Sequence, residues 1–165
     1  MGELDHAHWM REALALAARA AAMGEVPVGA VIVHHRFGET PRVIGTGFNE
    51  RELGCDPSAH AEIVAMRAAG RTLGHWRLTD CTMYVTLEPC PMCAGAAVQS
   101  RLPRLVYGAK DPKAGAVETL YRLCSDERLN HRVEVIGNVM EAEAAALLKG
   151  FFAERRRKLA EDGRG

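Results

Sequence analysis

Four side chains in two short motifs have the types and spacing of a catalytic metal site. His60 and Glu62 stand two residues apart, and Cys90 and Cys93 flank a Pro-Met pair. Together they offer one imidazole and two thiols, which is three zinc ligands, plus one carboxylate. A structural zinc site usually has four protein ligands, whereas a catalytic site keeps one position open. We therefore predict a catalytic zinc ion held by His60, Cys90 and Cys93, with Glu62 free to move protons.

Two simpler interpretations of the same residues stay open. The Cys-x-x-Cys pair could be a redox couple, although Pro-Met is an unusual filler between redox thiols. A closed structural zinc site would take a fourth ligand from another histidine or from one of the remaining cysteines, Cys55, Cys81 and Cys124. Such cysteines are more often buried as small apolar side chains than used as ligands. An odd cysteine count, with one Cys-x-x-Cys pair, favours metal over disulfide in an intracellular chain.

The spacing also predicts where the four side chains lie. Cys90 can cap a helix that starts with Pro91, since proline has no N–H to lose there. Cys90 and Cys93 then face one side of the first turn, where the helix dipole favours two pre-ionised thiolates. His60 and Glu62 would point apart on a regular helix, but both can lean to one point at a helix start. We predict two helix N-termini that converge on one zinc ion.

The predicted chemistry is hydrolytic. In such a site Glu62 would take a proton from water and pass it to a departing amine, as general base and then as general acid. The matching substrate is an amidine-type carbon that bears an exocyclic amino group. Cytosine, adenine and guanine all have one, so these residues alone do not choose among them.

The composition is that of an ordinary globular protein. The 165 residues are 48% hydrophobic and 25% charged, and 21 basic residues balance 21 acidic ones. A protein that binds nucleic acid by bulk electrostatics alone is usually more basic, although a local basic patch is compatible with this balance. No apolar run reaches the length of a membrane span, and the first residues lack the order of a signal peptide. We expect a cytoplasmic protein without a membrane segment.

Hydrophobic periodicity divides the chain into alternating helices and strands. Helices are predicted at 6–23, at 59–73 with Ser58 as N-cap, and at 90–100. Strands are predicted at 28–33, 42–48, 82–86, 105–107 and 132–136, and loops at 34–41 and 49–57. A long amphipathic helix with a basic end is predicted at about 139–159, opened by Asn138. This order predicts one α/β domain over 1–165, with a sheet of about five strands covered by helices.

Longer segments of the chain resemble one group of proteins. They are 25–30, 47–49, 56–62, 84–90, 108–111, 130–134 and 151–157. With the two ligand motifs, they resemble the cytidine deaminase-like superfamily and, within it, the bacterial tRNA-specific adenosine deaminases. The likeness spans nearly the whole chain, and the segments outside the ligand motifs separate this group from free-base deaminases. It implies a three-layer α/β/α deaminase domain with a mixed sheet of about five strands.

The resemblance also implies a reaction, a substrate and partners. One zinc ion per subunit would be held by His60, Cys90 and Cys93, with Glu62 as proton shuttle. The wobble adenosine in the anticodon (ACG) of an arginine tRNA would become inosine, with release of ammonia. The group consists of homodimers, so we expect a homodimer that binds the anticodon stem-loop.

Further site residues are implied by position in the same group. Asn49 matches the residue that contacts the base, Val28 and Ala30 match the pocket wall, and Asp111 matches a contact to the anticodon-loop backbone. Asn49 and Asp111 could instead serve only their turns. Glu88 is expected to be a supporting carboxylate and not a catalyst.

The basic end of the last helix has two interpretations. It contains the densest basic cluster of the chain, which is Arg155, Arg156, Arg157 and Lys158. The cluster could be a solvated helix end or a phosphate-binding surface. Two segments depart from the group: 34–41 is a few residues longer, and 121–130 matches only loosely.

The sequence therefore leaves three functional hypotheses open. The first is a tRNA adenosine deaminase, the second a zinc deaminase of a free base or nucleoside such as guanine or cytosine. The third is a zinc-stabilised binding module without catalysis. Glu62 argues against the third, because a purely structural site does not need it. Asp111 and the basic helix end argue against the second, because a small substrate requires neither.

Overall fold

The structure, a computed structural model, describes residues 4–163. Over that part of the chain it contains five α-helices, five strands and one 3₁₀ turn at Leu123–Ser125. The helices are α1 (His6–Ala22), α2 (Arg51–Gly54), α3 (Ala61–Leu73), α4 (Pro91–Gln99) and α5 (Glu141–Asp162). The strands are β1 (Gly29–His34), β2 (Arg42–Phe48), β3 (Cys81–Leu87), β4 (Arg104–Ala109) and β5 (Glu134–Ile136).

The strands form one mixed sheet in the order β2-β1-β3-β4-β5. β1 pairs antiparallel with β2 and with β3. β3, β4 and β5 run parallel to one another. A parallel step requires a crossover connection, and α4 lies in the one between β3 and β4. The carboxyl end of β3 therefore leads directly into the Cys-x-x-Cys motif at the start of α4.

Helices cover both faces of the sheet. Ile32 and Leu105 point to the face on which α3 and α4 pack. Val31 and Tyr84 point to the opposite face, where they meet Met10 of α1. Alternate residues of a strand point to opposite faces, so each strand contributes to both cores. α5 packs on β4 and beside α1. The predicted three-layer α/β/α fold is confirmed.

Two glycines let α3 lie close against β2. A methyl group at Gly47 would sit 2.7 Å from the backbone nitrogen of Ala65. A methyl group at Gly45 would meet the next turn of the helix in the same way, 2.7 Å from the nitrogen of Ala69. Glycine in a strand often marks such a close approach of another backbone. The position of α3 is therefore set by direct contact with β2.

The segment predicted as a loop at 49–57 contains the short helix α2. The N–H of Leu53 donates to the carboxylate of Glu25 at 2.7 Å, and Glu25 has 1% of its surface exposed. The prediction of a loop is wrong for this part of the segment. Local turn-forming residues could not reveal it, because the stabilising carboxylate comes from another part of the chain.

α3 begins later than predicted, and Ser58 is not its N-cap. Asp56 accepts hydrogen bonds from the N–H and the hydroxyl of Ser58, at 2.8 and 2.7 Å. The chain then extends, and His60 takes the N-cap position with φ −72° and ψ 150°. The predicted cap is wrong because a nearby carboxylate already engages the serine in a turn.

α5 also starts later than predicted, with Met140 and not Asn138 at its N-cap. Both residues have left-handed backbone, with φ 63° at Asn138 and 53° at Met140, so the chain turns twice before the helix begins. Within the described helix, Ala144 alone is buried. None of the helices in residues 4–163 has the length and apolar character that crossing a membrane requires.

Candidate active site

Two helix starts bring the three candidate ligands together. His60 is the N-cap of α3, Cys90 is the N-cap of α4, and Cys93 lies in the first turn of α4. Nδ1 of His60 lies 3.5 Å from Sγ of Cys90 and 3.5 Å from Sγ of Cys93. The three donor atoms all lie within 4.8 Å of one another. The predicted convergence of two helix N-termini on one point is confirmed.

The spacing of these donors fits a tetrahedral zinc ion. Bonds of about 2.0 Å to nitrogen and about 2.3 Å to sulfur place two such ligands about 3.5 Å apart at the tetrahedral angle. No fourth His, Cys, Asp or Glu donor from residues 4–163 belongs to the cluster. Cys55 is exposed, and Cys81 and Cys124 are buried outside the cluster. The donor set therefore fits a metal ion with one open position.

The two thiols differ in how readily they ionise. The hydrogen bond with Cys93, and a further one with His60, lowers the pKa of Cys90 to about 4. The same contact with Cys90, together with burial, raises the pKa of Cys93 far above its usual value. A hydrogen bond with Cys90 likewise raises the pKa of His60. Adjacent thiolates repel unless a cation lies between them, so two thiolates at this point require a bound cation, and the ionisation of both thiols stays a prediction.

Glu62 lies in the same site but outside the ligand cluster. It occupies the first turn of α3, with 4% of its surface exposed. Burial raises the pKa of Glu62 to about 7, against the lowering effects of its own backbone N–H and of His60. A carboxyl group with a pKa near neutrality can both accept and donate a proton at physiological pH. Glu62 thus has the property that a proton shuttle requires.

His60, Cys90 and Glu62 line a pocket of about 230 Å³. Besides His60, Ala61, Glu62 and Cys90, its lining residues are Val26, Val28, Asn49, Arg51, Leu87, Glu88, Asp111 and Ala114. They come from the segment just before β1, the residue after β2, α2, the last residue of β3 and the one after it, and the loop after β4. Val28 is therefore where the resemblance implied it. Ala30 lies two residues further along, fully buried in the core and outside the pocket lining.

Asn49 has a buried polar atom that needs a partner. The residue is 6% exposed, and its side-chain oxygen has no hydrogen-bond partner in the described chain. Buried polar atoms in folded proteins are nearly always satisfied, and leaving one unsatisfied costs about 1–3 kcal/mol. Its place in the pocket lining makes a ligand the natural source of that partner.

Asp111 serves a turn and also reaches the pocket. Its Oδ1 accepts hydrogen bonds from the N–H of Lys113 at 2.9 Å and of Ala114 at 3.2 Å. Asp111 therefore has the turn-forming role that the sequence suggested. Because Asp111 also lines the pocket, that role does not remove it from the candidate site.

Arg51 is a pocket residue that the sequence did not single out. It is the first residue of α2, the helix that replaces part of the predicted loop. No local pattern marks this arginine, because α2 depends on the distant carboxylate of Glu25. His131 makes a 2.7 Å hydrogen bond to the carbonyl of Leu102 and lies outside the pocket lining.

The basic cluster divides into paired and unpaired side chains. Arg157 forms ion pairs with Glu154 at 2.8 Å and Glu161 at 2.7 Å, and Lys158 lies 3.5 Å from Glu154. Arg155 and Arg156 have no acidic partner within residues 4–163.

Part of this cluster lies beside a segment of the chain that leads into the pocket wall. Arg155 and Lys158 line a groove together with Ala21 and Gly24 at the end of α1. Two residues after Gly24, the chain reaches Val26 in the pocket wall.

The chain is similar to known deaminases over most of its length. Residues 4–156 match the family model described as MafB19-like deaminase. The tRNA-specific adenosine deaminase of Bacillus subtilis (strain 168) is 47% identical over 150 residues, which cover 91% of this chain and 90% of that protein.

Solved structures share the fold. One comes from a study of A-to-I editing by tRNA:A34 deaminases at the wobble position of transfer RNA. It has a TM-score of 0.79 and 44% identity, covering 86% of this chain and 99% of that chain. A guanine deaminase from Nitrosomonas europaea has a TM-score of 0.77 at 24% identity, covering 89% of this chain and 84% of that chain. At that identity the second likeness concerns the fold alone.

Proposed function

The chain belongs to the MafB19-like deaminase family, and from that premise we propose that it deaminates adenosine to inosine in tRNA. The proposed target is the wobble adenosine of an ACG anticodon in an arginine tRNA, and the products are inosine and ammonia. The observation that carries this proposal is one pocket that combines the ligand cluster, Glu62 and the unpartnered amide oxygen of Asn49. The similarity to tRNA-specific adenosine deaminases supports adenine in RNA as the substrate.

The chemistry follows from the roles that these side chains can take. His60, Cys90 and Cys93 would hold one zinc ion. When bound there, zinc supplies Lewis acidity, which lowers the pKa of water from about 16 toward about 7. Glu62, with a pKa of about 7, accepts a proton from the attacking water. It then delivers a proton to the leaving amino group, so that oxygen replaces nitrogen on the ring carbon and ammonia departs.

The pocket walls would bind and orient the base. The side-chain oxygen of Asn49 can accept a hydrogen bond from the base, and Val28 offers an apolar surface to the ring. A duplex hides the reacting carbon of its bases, so deaminases act on a single-stranded or flipped-out nucleotide. An anticodon loop presents such a nucleotide at low cost, which supports a loop adenosine as the substrate.

Arg155 and Arg156 are the proposed phosphate contacts of the basic cluster. They have no intramolecular partner in the described chain, whereas Arg157 and Lys158 are paired along the helix. The double change of Arg155 and Arg156 to Ala should weaken stem-loop binding and reduce its dependence on salt. Arg157→Ala is the control, because this arginine already has acidic neighbours. If stem-loop binding depends on salt concentration to the same extent in the wild-type protein, the double variant and Arg157→Ala, the cluster is a solvated helix end and not a phosphate-binding surface.

We also propose that the protein is a homodimer. A groove of about 670 Å³ lies between α3 and α4 and is lined by Ile63, Met66 and Trp76, among others. Trp76 is 55% exposed there, and exposed apolar patches of this kind often mark contacts between proteins. A second copy seated on this groove would pack against the two helices that carry the ligands.

A substrate panel tests the proposed function. Zinc-loaded protein is incubated with an ACG anticodon stem-loop of an arginine tRNA and, in parallel, with free adenosine, cytosine and guanine. The proposal predicts inosine at the wobble base of the stem-loop. Turnover of a free base with an unchanged stem-loop would refute it and favour a small-molecule deaminase. No turnover of any substrate by protein with bound zinc would favour a binding module.

A further inference from the structure

A buried carboxylate beside the ligand motif holds a loop that borders the pocket. Glu88 has 2% of its surface exposed. Its Oε1 accepts hydrogen bonds from the N–H groups of Glu118 and Thr119, at 2.9 and 2.8 Å. Its Oε2 accepts from the N–H of Asp111 at 3.1 Å and from the hydroxyl of Thr119 at 2.5 Å. All four donors belong to the loop 111–119.

Other contacts tie the same loop to the end of β3. A methyl group at Gly115 would overlap Oε2 of Glu88, so only glycine lets the carboxylate reach its donors. The N–H of Ala116 donates to the carbonyl of Pro89 at 2.8 Å. The hydroxyl of Tyr107 donates to the carboxylate of Glu118. The loop is therefore held from the segment that leads into the ligand motif, as well as from β4.

This loop forms one wall of the pocket. Asp111 and Ala114 line the pocket, and the side chain of Asp111 closes the turn between them. β4, which leads into the loop, lies on the other side of β3 from β1. The loop wall is thus built on the opposite side of β3 from the wall that contains Val28.

We infer that Glu88 is a positioning residue, which holds the loop 111–119 so that the turn at Asp111 and Ala114 is preformed for the RNA around the target base. The inference rests on the proposed function, since RNA is taken as the ligand of this wall. A preformed wall loses less conformational freedom when the substrate binds. Loosening the loop should therefore raise KM, whereas the groups that perform the chemistry keep their places and kcat changes little.

Two variants of the network test the inference. Glu88→Gln keeps the size of the side chain but replaces one acceptor oxygen by a donor, so at least one backbone N–H of the loop loses its partner. We expect KM for the stem-loop to rise about ten- to a hundredfold. Thr119→Val removes only the hydroxyl bond, and we expect a rise of about two- to tenfold. Zinc content and kcat should stay within about twofold of the wild-type values in both, and Thr119→Ser should restore KM.

Thr82→Val is the matched control. Thr82 lies near the other end of β3, where its hydroxyl is 2.7 Å from Nε2 of His35. The change likewise deletes one hydrogen bond between a threonine hydroxyl and another side chain, here an imidazole, and KM should not move. An equal rise in Thr82→Val and Thr119→Val would contradict the inference, because the effect would then come from general destabilisation.

The remaining outcomes separate this inference from the proposed function. If the wild-type protein deaminates the stem-loop and the Glu88→Gln and Thr119→Val variants keep the wild-type KM, the inference is wrong and the proposed function stands. A wild-type protein that leaves the stem-loop unchanged overturns the proposed function and the inference with it. If Glu88→Gln fails to fold, the KM values of Thr119→Val and Thr119→Ser decide whether the inference holds.

Discussion

Replacing Gly47 by alanine should move the start of α3 and slow catalysis. The added methyl carbon would overlap the carbonyl oxygen of Ala61 and lie 2.7 Å from the nitrogen of Ala65, where ordinary contact begins at 3.4 Å. The shortfall is about 0.7 to 1.0 Å, and both contacts are with backbone atoms that cannot rotate away. Relief requires α3 to shift outward by about that distance. Overpacking of this kind costs about 1–3 kcal/mol of folding free energy.

The shift falls on the turn that carries His60 and Glu62. Because a misplacement of about 1 Å can cost about a hundredfold in rate, we expect kcat to fall about tenfold. Thermal unfolding and single-turnover deamination of the stem-loop measure the two effects. Gly150→Ala is the control, because a methyl group in this exposed helical position meets nothing within 4 Å and should stabilise slightly. A Gly47→Ala protein with wild-type melting temperature and rate would refute the argument that β2 positions α3.

Three other predictions concern the proton shuttle, the metal and the dimer. Glu62→Gln should keep zinc and lose about 10²- to 10⁴-fold in kcat; loss of the metal, measured by mass spectrometry, would contradict the role of Glu62. Zinc binding should release protons and tighten as pH rises, because Cys93 and His60 have raised pKa values and must lose protons to become ligands. Titration calorimetry in buffers of different ionisation enthalpy would detect this release, and a pH-independent affinity would count against the assigned ligands. Trp76→Glu should convert a dimer to a monomer in sedimentation, since it puts a charge into the groove; an unchanged mass would place the interface elsewhere.

The fold was predictable where one local rule decided each element. The helix at 61–73 and the strands at 81–87 and 104–109 carry clear periodicity, and Pro91 marks the start of α4. The ligand cluster was predictable for a related reason. Spacing within each motif determines which way its side chains lean at a helix start, so convergence on one point could be inferred without knowing the sheet order.

The errors came from contacts between distant parts of the chain. α2 depends on Glu25, and the serine expected to cap α3 is engaged by Asp56. The opposite pKa directions of the two thiols in the Cys-x-x-Cys motif could not be inferred from the sequence, because they depend on the hydrogen bond between the thiols and on burial. The hydrogen bonds that Glu88 accepts from the loop 111–119 could not be predicted either, because the sequence around this carboxylate does not indicate which backbone groups lie near it in the fold.

The most direct test of the central claim is to follow the oxygen atom. Zinc-loaded protein is incubated with the ACG stem-loop in water enriched in oxygen-18, and the RNA is then digested and analysed by mass spectrometry. Hydrolytic deamination by this site predicts one labelled oxygen in the wobble nucleotide, now inosine, and none in any other adenosine. The same reaction with the Glu62→Gln protein should show almost no label. A wobble adenosine that stays unconverted by zinc-loaded protein, or wobble inosine that carries no label, would contradict the account.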